Sequence, residues 1–171
     1  IYVLDDNLLG WMPHLIHRKV KTFFGFTHLH KAFGERNTRH QWINATIAAE
    51  LAFKEFLALY KPDTVPVMSF LPSPPLDRMY NNLLVEYSGS KSPMARYLSD
   101  GAKKRNELIH KPRQKSPGKH ETNVYLHQIQ VAILHLYTIL YPNDPFFEYL
   151  LSYANSKLER EIKDVVKVEN N

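Results

Sequence analysis

The sequence of 171 residues has no cysteine. That excludes disulfides, thiolate catalysis and cysteine-ligated zinc, and it fits a reducing, cytoplasmic setting. No apolar run approaches the roughly 18–20 residues that cross a bilayer. Nothing at the start has the pattern of a signal peptide, so no membrane partner is expected. The first residue is Ile1 rather than Met, which reads as a fragment or a processed form. None of the six glycines belongs to a phosphate-cradling loop or a G-x-S-x-G elbow, which removes two large enzyme classes.

What is present is an ordinary globular composition, 44% apolar and 23% charged, of a length suited to one well-packed domain. Residues 1–36 show no clean period. Ile1-Tyr2-Val3-Leu4 has the look of a short strand, and the stretch from Trp11 to Phe33 reads as short helices or loops. This part is taken as an N-terminal extension packing on a main body, residues 37–171. From Thr38 the period is helical: Trp42, Ala45, Ala49, Ala52, Phe53, Phe56 and Tyr60 recur at three- and four-residue steps, with Asn37 or Thr38 as cap and Pro62 as stop. Five prolines make 61–75 a semi-rigid loop. A shorter amphipathic helix follows over Leu76–Tyr87. The next runs from Pro93 to about His110, weakened at Gly101 and ended by Pro112. A basic loop spans 111–120. Long helices over Glu121–Tyr141 and about Pro145–Val166 complete an all-α bundle of four to five main helices.

The net charge of +5 is local. Between Lys103 and Lys119 stand seven cations, namely Lys103, Lys104, Arg105, Lys111, Arg113, Lys115 and Lys119, against the single acid Glu107. The rest of the chain holds 15 basic and 16 acidic groups. A positive stripe on a neutral body points to a polyanion, with nucleic acid foremost; the plain alternative is a solvated loop. Inside the stripe lies Arg105-Asn106-Glu107-Leu108-Ile109-His110. Arg offers a permanently charged fork matched to phosphate oxygens, His gives or takes a proton near neutrality, and Asn orients the His or bonds the phosphate. These groups suffice for attack by an RNA 2′-OH on its own phosphodiester with no metal. On one helix Arg105 and His110 are rotated by about 140° and separated by about 7.5 Å, so they do not meet within a single chain. The competing reading is a helix end whose cations merely face the negative pole of the dipole.

Over roughly residues 38–141 the chain resembles the HEPN (higher eukaryotes and prokaryotes nucleotide-binding) superfamily. Its mark is an Arg, usually followed by a polar residue, then a His four to six positions on, and Arg105, Asn106 and His110 match it. The resemblance implies a HEPN-like helical bundle that dimerises so that two motifs share one cleft. It also implies metal-independent endoribonuclease activity leaving a 2′,3′-cyclic phosphate, and toxin or phage-defence biology with an antitoxin or sensor domain as partner. Some members carry a tyrosine shortly after the His that an antitoxin modifies; here Lys111, Pro112 and Arg113 follow. A second function class stays open: a non-catalytic HEPN-like module that dimerises, or binds RNA or a nucleotide, for a larger protein.

Arg105, Asn106 and His110 are thus the expected catalytic set. Glu50 either supports it, by pairing with Arg105 or orienting His110, or is a helix-favouring surface group; Glu55 is read as the latter. Lys103, Lys104, Lys111, Arg113, Lys115, Lys119 and His120 are the expected RNA contacts. His14 and His17, and His28 and His30, are close in sequence but come with no His-Glu-x-x-His pattern or cysteine, so no metal or cofactor is expected. Tyr125, Tyr137, His127 and His135 are assigned to the core or its edge, with the two histidines hydrogen-bonded.

Overall fold

The computed structural model describes residues 10, 11, 13, 17, 21–66, 75–111 and 113–169, the last six without side chains. The strand expected at Ile1–Leu4, His14, Pro112 and residues 67–74 of the proline loop lie outside these. The described residues are all helical in their regular structure: α1 (Phe24–Gly34), α2 (Thr38–Tyr60), a 3₁₀ turn (Pro62–Thr64), a π-helical turn (Arg78–Leu83) running into α3 (Leu84–Ser88), α4 (Ala95–His110), α5 (Lys119–Leu140) and α6 (Pro145–Glu169).

The centre of the bundle is α2 against α5. Ala45, Ala48, Ala49 and Ala52 are fully buried, and their small side chains let the helices on either side come close. Leu126, Ile129, Ala132, Ile133 and Leu136 of α5 belong to the same core, with Phe53 and Phe56 filling the wider gaps. Asn37 caps α2, its Oδ1 accepting the N–H groups of Arg39 (2.9 Å) and His40 (3.4 Å). A second cluster, Val131, Leu134, Ala154 and Leu158, seats α6 on the opposite side of α5.

Residues 21–34 are bound into this core. Phe23, Leu29 and Ala32 are buried in it, and α1 forms a short-looped helical hairpin with α2. Gly25 makes the contact: a Cβ there would fall 2.6 Å from the Ala48 carbonyl oxygen and 2.7 Å from Ala52 Cβ. Glu55 departs from the surface role expected of it. Its two carboxylate oxygens accept the Phe24 and Gly25 N–H groups at 2.7 and 3.0 Å, so a residue of α2 satisfies the free donors at the start of α1 and complements its dipole. The Tyr137 hydroxyl fixes the same corner by accepting from Phe23 N–H (2.6 Å) and donating to the Lys21 carbonyl (3.1 Å); burial raises its pKa.

Other boundaries shift for local reasons. The amphipathic helix over Leu76–Tyr87 contains a π turn, which brings the adjacent residues Met79 and Tyr80 both into the core. Tyr80 then donates its hydroxyl to the Ala49 carbonyl at 2.8 Å. Gly89, at φ 71°, closes this helix in the left-handed conformation. Ser92 Oγ accepts the Met94 N–H at 3.3 Å, and α4 starts at Ala95 rather than Pro93. Helix α5 starts at Lys119, two residues early, because the Gly118 carbonyl already takes the Thr122 N–H (3.0 Å) and hydroxyl (2.7 Å). Lys119 and His120 therefore stand on a helical turn, not in the loop.

The two histidines of α5 differ from one another. His127 Nδ1 lies 3.1 Å from Gln130 Oε1, and its ring is 3.9 Å from Glu161. His135 Nδ1 is buried with no hydrogen-bond partner, against expectation. Burial lowers the pKa of both.

Candidate functional site

Arg105, Asn106 and His110 lie on the last turns of α4, and the periodicity of that helix decides what each faces. Leu98, Gly101 and Leu108 form its buried side. Arg105, four residues after Gly101, shares that side. Its Nε is buried without a hydrogen-bond partner, while Nη1 donates to Asn106 Oδ1 at 2.9 Å. Among the described residues no carboxylate pairs with this guanidinium. His110, on the final residue of α4, is exposed, and its imidazole has no hydrogen-bond or ionic partner among the described residues. The chain thus joins Arg105 to Asn106 and leaves His110 on a different face from Arg105, as the 140° rotation requires, while Asn106, four residues before His110, shares its side.

The middle of α4 is clamped. Gly101, which costs helix stability in isolation, is there because the Tyr125 ring occupies the space of a side chain: a Cβ would lie 2.1 Å from Tyr125 Cε2. The Gly101 carbonyl accepts the Trp42 Nε1–H at 2.9 Å. Trp42 and Tyr125 stack with centroids 4.0 Å apart, and the Tyr125 hydroxyl bonds Thr46 Oγ1 at 2.9 Å. Burial raises the Tyr125 pKa, with the Thr46 bond and the Arg105 charge opposing. Tyr125 and Tyr137 are both core residues.

The end of α4 is tied down by Arg39, which the sequence reading passed over. From the first turn of α2, its Nη1 donates to the Leu108 carbonyl (3.0 Å) and Nη2 to the Gln114 carbonyl (2.5 Å). This satisfies one of the last free carbonyls of α4 and pins the basic loop beside it. A signal was present: a cation in the first turn of a helix opposes the dipole, so Arg39 needs acceptors from elsewhere.

The positive stripe is less positive in space than in sequence. Asp100 and Glu121, which flank the window, fold back onto it. Lys103 pairs with Asp100 at 3.4 Å, Lys111 with Glu107 at 3.1 Å, and Lys104 with Glu121. Lys104 also sits 4.8 Å over the Trp42 ring, which turns its charge toward the body. Lys119 donates to Gln41 Oε1 at 3.2 Å. Arg113 and Lys115 are exposed and unpaired among the described residues. His120 lines a cleft of about 590 Å³ bounded by α2, α4 and α5. Glu50 is engaged by Lys54 at 3.0 Å on its own helix. Among the described residues no three His, Asp or Glu side chains gather as a metal site, and no helix is long and apolar enough to cross a membrane.

Comparison with known protein families, curated proteins and solved structures finds no match to this chain.

Proposed function

We propose that the chain is a metal-independent endoribonuclease of the HEPN type, active as a homodimer and serving as a toxin or phage-defence effector. The observation that carries this reading is a pair of unspent groups at one helix end. Among the described residues Arg105 is half-buried with no carboxylate partner, its Nε shielded from solvent and its Nη1 on Asn106, and His110 is exposed without a partner. A guanidinium kept from acids is available to phosphate oxygens. An exposed imidazole is available for proton transfer.

In the reaction, the 2′-oxygen attacks the adjacent phosphorus and the bond to the 5′-oxygen breaks. His110 takes the 2′-OH proton, and a second imidazole returns a proton to the departing 5′-oxygen. Arg105 and Asn106 hold the non-bridging oxygens as charge builds on them. A two-fold axis beside α4 supplies both imidazoles and brings Arg105 of one chain toward His110 of the other. One apolar side chain near the end of α4, Ile109 (43% exposed), supports a contact there.

The test is incubation of the purified chain with mixed RNA in EDTA, followed by analysis of the new ends. Fragments with 2′,3′-cyclic phosphate and 5′-OH ends are expected. Intact RNA, or cutting that EDTA abolishes, overturns the enzyme reading and leaves the non-catalytic HEPN-like module.

A further inference from the structure

The cleft between α2, α4 and α5 is not part of the Arg105–His110 site, and its lining is unusual for a structural gap. Trp42 and Tyr125 form its buried aromatic floor. The Tyr97 ring, on α4, stands exposed at its wall, and around it lie Lys104 and His120 together with the carboxylates of Asp100 and Glu121, the latter paired with Lys104. The polar edges of the floor are already used, Trp42 by Gly101 and Tyr125 by Thr46. Gln128 is the exception. It lines the cleft from α5 and is only 7% exposed, yet among the described residues its carboxamide has no hydrogen-bond partner. Its carboxamide is not among the fully shielded polar atoms that lack a partner, so its donor and acceptor stay accessible on a residue that lines the cleft.

We propose that this cleft binds a nucleobase, stacked on Tyr97 and read along its edge by the Gln128 carboxamide. The volume is in the range of nucleotide-sized sites. A flat ring meets aromatic faces, as bases do on tyrosine in single-strand recognition. A carboxamide matches the adjacent donor and acceptor of a base edge, adenine N6 and N7 being the best-known pairing. On the ribonuclease reading, which this step extends, the base belongs to the RNA strand near the cut and Gln128 sets the sequence preference. The same chemistry also fits a free mononucleotide.

Trp42 reports on the cleft, and the sequence has one other tryptophan, Trp11. A Trp11→Phe background therefore isolates its fluorescence. The four nucleoside 5′-monophosphates, ribose 5-phosphate and short single-stranded RNAs are titrated into this protein and into its Gln128→Leu and Tyr97→Ala forms. Base-dependent quenching is expected, with adenine ahead and ribose 5-phosphate silent. Gln128→Leu, which keeps the volume, removes the preference by about ten- to hundredfold. Tyr97→Ala, at an exposed position, weakens all bases by about tenfold. Oligonucleotides binding more tightly than monophosphates identify the RNA strand as the source, and the reverse identifies a free nucleotide. Because binding is read without cleavage, quenching by bases in a protein that cuts no RNA sustains the cleft while the enzyme reading fails. Equal quenching by ribose 5-phosphate, no response to any nucleotide or RNA, or a preference unchanged by Gln128→Leu overturns the proposal.

Discussion

Helix α4 is held in two different ways along its length. Its middle is locked by shape: Gly101 admits the Tyr125 ring, and its carbonyl takes the Trp42 N–H. Its end is held by one polar side chain, Arg39, which grips the Leu108 and Gln114 carbonyls. In the middle the buried Trp42, Thr46 and Tyr125 all have hydrogen-bond partners inside the protein. At the end, among the described residues, the His110 imidazole is exposed without a partner and the Arg105 guanidinium has no carboxylate. A rigid stem carrying an under-satisfied tip is how a fold offers polar groups to a ligand without loosening its core, and the two parts should respond to substitution in opposite ways.

The largest effect is expected at the tip. His110→Ala should lower RNA cleavage by about 10²–10⁴-fold, the usual cost of losing a proton-transfer group. Thermal unfolding should stay near that of the parent, because an exposed side chain without a partner contributes little. Cleavage at the parent rate would remove His110 from the mechanism.

The stem should show the reverse. Gly101→Ala forces a methyl into the Tyr125 ring, and overpacking of this kind costs about 1–3 kcal/mol. Calorimetry should record a fall of several degrees in Tm. An unchanged Tm would mean that Tyr125 moves aside freely and that the stem is not locked.

Arg39→Gln tests the connection between the two. Losing charge-assisted bonds to two carbonyls should cost about 1–2 kcal/mol, and hydrogen exchange over 108–115 should quicken more than elsewhere. Uniform exchange across the bundle would show that the tip has another anchor.

The smallest effect concerns the loop. Neutralising Lys111, Arg113 and Lys115 together should flatten the dependence of log K on log salt for single-stranded RNA by about one to two, at roughly 0.7 per phosphate contact. The lower figure follows if Lys111 stays committed to Glu107. No change in slope would return the loop to a solvated surface.

The stem and the tip also differ in how far the sequence disclosed them. The extent of α2 was legible because a cap at Asn37 and a stop at Pro62 bracket an unbroken period, all of it local information. The three motif residues were legible as residue types on one helix. What eluded the sequence were partners brought from far along the chain. Glu55 caps a helix some 30 residues earlier, and Arg39 reaches carbonyls about 70 residues later. Gly101 looked like a weakness because its reason, Tyr125, lies on another helix. The charge of the basic segment was overstated because Asp100 and Glu121 lie just outside it in sequence and against it in space. The π turn at Arg78–Leu83 leaves a helical period nearly intact and so gave no sign of itself.

The central claim is that Arg105 and His110 meet only where two copies of α4 meet. The most direct measurement is solution mass, by sedimentation, at the concentrations of the cleavage assay, with specific activity followed on dilution. The account predicts a dimer whose specific activity falls as it dissociates. A monomer with full activity at the assay concentration would contradict it.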